Sequence, residues 1–176
     1  MATGARKVND KLLALMAEHL DAERVKVLVG IDPGQHNGLG INVRVGRINN
    51  PILSTLDFWE LVDVLEDILQ LQMLYGRDRV GVTVYIEDTR LNTPVFDRGN
   101  DGRRQLRQAQ NVGDNKRTAG LLVEYLERKS IPFHPIRPNG KTYSKLNADT
   151  FTRYTGITER CSQHARDAYM LIHGIH

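Results

Sequence analysis

Val27 to Ile31 (VLVGI) is an unbroken apolar run that ends on Asp32, Pro33 and Gly34. Such a run predicts a buried strand that delivers the Asp32 carboxylate to its C-terminal end. Pro33 and Gly34 stop the strand at once. Gly38 and Gly40 read as the glycines of a tight turn into a second strand, Leu39 to Val45. A carboxylate at the rim of a buried strand is costly without a positive partner. An Asp-Pro-Gly turn that merely caps a hairpin is the simpler reading of this stretch taken alone.

The rest of the chain is consistent with one domain built around that strand. A length of 176 residues with 40% hydrophobic and 26% charged residues is ordinary for a soluble domain with a real core. No apolar run approaches the roughly 20 residues that span a bilayer, and Leu12 to Met16 is too short and too closely flanked by charge for a signal peptide. The single cysteine, Cys161, excludes an internal disulfide and a cysteine-built zinc site. Together these features predict a cytoplasmic protein with no membrane partner. Charge is uneven: Arg98 to Arg166 carries 14 Lys and Arg against 6 Asp and Glu, whereas Asp57 to Asp67 holds five acidic residues and no basic one. A basic half predicts a polyanionic partner, of which nucleic acid is the commonest.

In chain order, residues 1–24 form an N-terminal helical extension, with Leu12, Leu13, Met16, Ala17 and Leu20 at helical spacing. The main domain then covers residues 25–176. Pro51 to Leu56 is a third strand, and Asp57 with Glu60 forms a capping pair for a helix striped by Phe58, Leu61, Val62, Leu65, Ile68 and Leu69 and ended by Gly76. Val80 to Ile86 is a strand that delivers Glu87. Asp88 to Gln110 reads as a long polar loop containing Arg103, Arg104 and Arg107, and loops of that length are usually functional or disordered. Val112 to Arg128 is a helix, Ile131 to Ile136 an edge strand by its two prolines, and Lys141 to Tyr154 a weak helix. Ser162 caps the last helix, which runs to about His173. The expected fold class is α/β, a five-stranded mixed sheet flanked by helices.

Three places offer metal-type ligands: Asp32, Glu87, and the pair His164 and Asp167, three apart on one helix face. Ala168 and Leu171 continue that face, which turns it toward the sheet. If the strands ending in Asp32 and Glu87 are parallel neighbours, their carboxylates repel unless divalent cations neutralise them. Oxygen ligands favour Mg²⁺ or Mn²⁺, and two such ions suit in-line attack on a phosphodiester. Asp88 is expected to face away from Glu87 by strand alternation. His36 and Asn37 read as loop residues, Cys161 shows no nucleophile signature, Phe151 reads as core, and Tyr143 and Tyr154 stay open between packing and base stacking.

The segment GIDPGQHNGLGINV resembles the first motif of RuvC-type Holliday-junction resolvases, a branch of the ribonuclease H-like superfamily. VYIEDTR is similar to that family's second acidic strand and HARDA to its last-helix motif, and the likeness covers about Val25 to Ile172. The resemblance implies a ribonuclease H-like fold in which Asp32, Glu87, His164 and Asp167 bind two Mg²⁺ (or Mn²⁺) ions and catalyse hydrolysis. It also implies a catalytic lysine near the scissile phosphate, with Lys145 the better positional match and Lys141 the other candidate. The implied activity is resolution of four-way or other branched DNA junctions by a homodimer; cleavage of RNA or RNA–DNA hybrids is the alternative. Arg90, Arg103, Arg104, Arg107, Lys116, Arg117, Lys141 and Lys145 are the candidate DNA contacts. The family's aromatic wedge past the second carboxylate has no counterpart in Asp88-Thr89-Arg90-Leu91, the next aromatic being Phe96, which extends the expected substrates to forks and flaps.

Overall fold

A computed structural model describes residues 3–19, 24–91, 102–138 and 145–175, the side chains of 102–112 excepted. Leu20, Phe96, Lys141 and Tyr143 lie outside the described residues. The chain is α/β, with a five-stranded mixed sheet flanked by helices. In chain order the elements are α1 (Gly4–His19), β1 (Val25–Asp32), β2 (Asn37–Val45), β3 (Ile48–Leu56), α2 (Phe58–Tyr75) and β4 (Val80–Glu87). A single turn of 3₁₀ helix, Thr89–Leu91, is followed by α3 (Gly102–Arg128), β5 (Phe133–Ile136), α4 (Ala148–Thr155) and α5 (Gln163–Met170).

The sheet order is β3-β2-β1-β4-β5. β2 runs antiparallel to both its neighbours, whereas β1, β4 and β5 are mutually parallel, with Ile31 in register with Ile86. One step further along each strand stand Asp32 and Glu87, as the sequence predicts. β5 is an edge strand, where Pro135 removes no interior ladder bond.

Alternation along β1 sends Val25, Val27, Val29 and Ile31 to one face, into a core shared with α1, α2 and α3. Buried Ala5, Val8, Leu12 and Met16 line α1, and buried Leu61, Val64, Leu65, Ile68 and Leu71 line α2. Each fully buried leucine or isoleucine contributes about 1.5–3 kcal/mol. The predicted capping box is present: Asp57 Oδ1 accepts from the Glu60 amide at 2.8 Å, and Glu60 Oε2 accepts from the Asp57 amide at 3.2 Å. Glu60 Oε1 also accepts from the Gly4 amide at 2.9 Å, which fastens α1 to the start of α2. The other face is covered by α4 and α5 through Leu28, Phe151, Ile157, Tyr169 and Ile172.

Several expected boundaries are corrected: β3 begins at Ile48 and not Pro51, β5 at Phe133 and not Ile131, and α5 ends at Met170 and not near His173; two shifts are larger. The region read as a loop up to Gln110 is helical from Gly102, so α3 starts ten residues before the predicted Val112. Its first turns carry Arg103, Arg104 and Arg107 with hardly an apolar residue, leaving no stripe to betray a helix. The weak helix expected from Lys141 begins only at Ala148, because Asn147 is its N-cap, with Asn147 Oδ1 accepting from the Thr150 amide at 2.9 Å. Among the described residues no helix is long and apolar enough to cross a membrane.

Candidate active site

The site is built at the C-terminal ends of β1 and β4, and what completes it is the depth at which α5 sits. The face of the sheet beneath α5 presents Gly30 from β1 and Gly38 and Gly40 from β2, with Gly30 paired directly to Gly40 and Asp32 to Gly38. A β-carbon on Gly30 would stand 2.0 Å from the Ala168 carbonyl oxygen, and one on Gly40 would stand 2.5 Å from Tyr169 Cα. The three glycines therefore form a trough into which the α5 backbone settles. This corrects the turn role expected for Gly38 and Gly40: both lie within β2, in ladder register with β1. A glycine inside a strand commonly marks such close backbone approach.

The N-terminus of α5 is pinned by Ser162, whose Oγ accepts from the Ala165 amide at 3.1 Å and lies 2.5 Å from Thr55 Oγ1 of β3. Seated this way, α5 presents His164 and Asp167 to the strand ends. His164 Nδ1 is 2.8 Å from Asp32 Oδ2, a hydrogen bond in which the imidazole N–H donates to the carboxylate. Asp167 is buried, and its Oδ1 accepts from Gln163 Nε2 at 2.6 Å.

Electrostatics bind the four groups and one lysine into a single cluster. Burial, aided by repulsion from Asp32 and Asp167, pushes the Glu87 carboxyl up to about 7. Burial also raises Asp32, against the opposing pull of the His164 hydrogen bond. Asp167 is raised by burial too, the Gln163 bond opposing and the Asp32 charge adding. Lys145 lies near enough to draw both Asp32 and Glu87 downward. The structure thus brings together Asp32, Glu87, His164, Asp167 and Lys145.

Among the described residues no three His, Cys, Asp or Glu side chains are disposed to hold a metal ion as they stand. The placement has a visible cause, since Asp32 is turned to His164 and Asp167 to Gln163. The chemistry of the donor set nevertheless fits a hard cation: three converging carboxylates, each held above its ordinary titration range, gain most from a divalent ion.

Other predicted residues fall into different surroundings. Asp88 is buried and accepts from Arg90 through both oxygens, Oδ1 from Nε at 2.8 Å and Oδ2 from Nη2 at 2.7 Å, so Arg90 is held by an internal ion pair. Lys116 is half-buried and Arg117 exposed on α3, one and two residues past Asn115, which lies against the Gly34 turn that follows Asp32. The backbones of Arg103, Arg104 and Arg107 belong to α3, and their side chains lie outside the described residues. Asn37, read as a loop residue, is fully buried at the start of β2; its Oδ1 accepts from the Gly34 amide at 3.3 Å, shaping the turn after Asp32. Phe151 is core, as expected, and Tyr154 is exposed. Burial raises the Cys161 thiol, which agrees with an unreactive cysteine.

Sequence reasoning missed Gln163 and the trough role of Gly30. Gln163 stands four residues before Asp167, a helical spacing at which glutamine commonly bonds aspartate. No protein-family model matches the chain, and a search of curated proteins finds no match.

Proposed function

We propose that this chain is a divalent-metal-dependent, structure-selective endodeoxyribonuclease that cuts four-way or other branched DNA, working as a homodimer with a ribonuclease H-like fold. One observation carries the reading: Asp32, Glu87, His164 and Asp167, spread over more than 130 residues, converge at one end of the sheet with Lys145 beside them. Sheet order and strand directions are compatible with that fold. The basic C-terminal half supports a phosphodiester backbone as partner.

In this reading Asp32, Glu87 and Asp167 hold the ions, with His164 as the fourth ligand. Bound Mg²⁺ or Mn²⁺ supplies charge neutralisation, an activated water and stabilisation of the leaving oxygen. The chain's own residues do the rest. His164 orients the Asp32 carboxylate through Nδ1. Gln163 holds one oxygen of Asp167. Lys145 places a cation beside the carboxylates, where the scissile phosphate gathers negative charge.

The test is nicking of a synthetic four-way junction, a fork, a linear duplex and an RNA–DNA hybrid over a Mg²⁺ titration, with a chelator control. The expected outcome is metal-dependent cutting of branched DNA that Asp32→Asn abolishes. Cutting confined to the hybrid transfers the reading to an RNA-cleaving enzyme, and no metal-dependent cutting of any substrate removes it.

A further inference from the structure

The sheet face that bears the carboxylates at one end carries a cluster of cations at the other. Alternation along β1 puts Asp32, Gly30, Leu28 and Lys26 on the α5 face, and along β2 Gly38, Gly40, Asn42 and Arg44. α4 and α5 cover the middle of that face. Beyond them an open cleft of about 390 Å³ is lined by Arg24, Lys26, Arg44 and Gly46. Arg24 lays its guanidinium over Gly81 of β4, where a β-carbon would stand 3.6 Å from Arg24 Nη2; Gly81 is the register partner of Lys26.

Three features of this cleft are unfavourable in themselves. Lys26 and Arg44 are directly opposed across the antiparallel β1–β2 pair, a placement in which like charges destabilise a sheet. Among the described residues none of the three cations has a salt bridge, and no acidic side chain lines the cleft. Arg44 donates through Nη1 to the Ile175 carbonyl at 2.5 Å, yet its Nε is buried with no partner among the described residues. Anionic oxygens in the cleft answer the first two at once.

We propose that this cleft is a phosphate anchor for the nucleic-acid backbone, engaging a segment of the substrate away from the bond that is cut. The proposal rests on the nuclease reading for its choice of ligand. Six residues of strand at about 3.3 Å each separate Lys26 from Asp32, roughly 20 Å. One site therefore does not reach the same phosphate as the other. A free nucleotide is the poorer occupant, because among the described residues the lining offers three cations and a glycine, with no aromatic or uncharged polar side chain to hold a base. Arg24 and Lys26 are exposed, as suits a backbone laid across a surface.

The experiment is fluorescence anisotropy of a labelled four-way junction and a duplex, in chelator, over a salt series. It compares the wild type with the double variant Arg24→Gln/Lys26→Gln, Arg44 being left in place for its bond to Ile175. Losing two phosphate contacts lowers the slope of log K against log salt by about 2 and weakens binding roughly tenfold or more near ~0.1 M salt. The variant is expected to melt no lower than wild type, because the Lys26–Arg44 repulsion is gone. An unchanged slope and affinity in a folded variant overturns the anchor. Tripolyphosphate that binds the wild type and not the variant, with DNA binding unaltered in both, moves the ligand to a free polyphosphate and overturns the backbone assignment. Nicking is scored separately: a chain that loses the slope but never cuts keeps the anchor and drops the nuclease, and one that cuts with the slope intact does the reverse.

Discussion

Gly38 lies against the backbone of His164, and a β-carbon at Gly38 would stand 2.0 Å from the His164 carbonyl oxygen. That contact sets how far α5 descends onto β1 and β2, and so whether His164 reaches Asp32. A clash with backbone cannot be relieved by turning a side chain. Gly38→Ala is therefore expected to lift the N-terminus of α5, destabilise the fold by about 1–3 kcal/mol and abolish nicking. Gly113→Ala is the control. Gly113 lies inside α3 with nothing among the described residues within 4 Å of its β-carbon position, so the change should stabilise by about 0.5–1 kcal/mol and leave the site alone. Denaturant melts of the two variants check both signs; equal effects would remove the trough from the account.

The raised carboxyl of Glu87 makes a prediction for the metal-free protein. Its value of about 7 in the fold lies above the ordinary 4.5, so the native state binds this proton more tightly than the unfolded chain. The contribution is fully present below pH about 4.5 and is lost as pH rises through about 7. In chelator the melting temperature should fall between pH 5 and pH 8, and Glu87→Gln should flatten that fall and melt higher than wild type at pH 8. Added Mg²⁺ should raise the wild-type melting temperature more at pH 8 than at pH 5. Melts on a pH grid, with and without Mg²⁺, read all of these. A wild-type curve that Glu87→Gln does not alter would separate this group from the cluster.

Which parts of the fold were legible depended on whether their cause is local. The Asp57–Glu60 capping box, the Ser162 cap and the strand ends at Asp32 and Glu87 follow from residues within a few positions of one another, and each stands where the pattern puts it. The beginning of α3 was illegible because its first turns lack the apolar stripe that marks a helix. Gly38 and Gly40 were misread because their role is set by α5, more than 120 residues away, and glycine beside an Asp-Pro-Gly turn looks locally like more turn. The convergence of the site itself needed the parallel pairing of β1 with β4, which hydrophobic periodicity does not specify.

Asp88 and Arg90 yield a prediction that runs against the expected DNA role of Arg90. The Asp88 carboxylate is buried, and Arg90 donates to it from its backbone amide at 3.0 Å as well as from the guanidinium. Those bonds hold Asp88 below the usual carboxylate range. Truncation at Arg90→Ala strands a buried charge, at a cost of about 1–3 kcal/mol. The variant should therefore melt lower, while Asp88→Asn/Arg90→Gln, which keeps neutral partners in place, recovers part of the loss. A junction affinity that falls in Arg90→Ala and returns in the double variant would mark the effect as folding. A melting temperature unchanged from wild type in Arg90→Ala would instead assign the side chain to the substrate.

Asp167 owes its orientation to a chain of donors on its own helix. Gln163 Nε2 donates to Asp167 Oδ1 at 2.6 Å, and Gln163 Oε1 accepts in turn from Arg166 Nη2 at 2.7 Å. Arg166 also donates to the carbonyls of Cys161 at 2.8 Å and Leu146 at 3.2 Å, the latter next to Lys145. One arginine thus steadies both the glutamine behind a carboxylate and the segment carrying the lysine. If Asp167 is a ligand, removing the glutamine leaves the carboxylate free to rotate, and supporting partners of this kind are worth about 10–100-fold in metal affinity or activity. Gln163→Ala should accordingly raise the Mg²⁺ concentration for half-maximal nicking, with junction binding in chelator unchanged. Gln163→Glu should be worse than alanine, since it sets a further negative charge against Asp167. Mg²⁺ titrations of nicking beside anisotropy in chelator separate a positioning role from a structural one: a merely structural glutamine would lower binding and melting temperature together and leave the Mg²⁺ midpoint where it was.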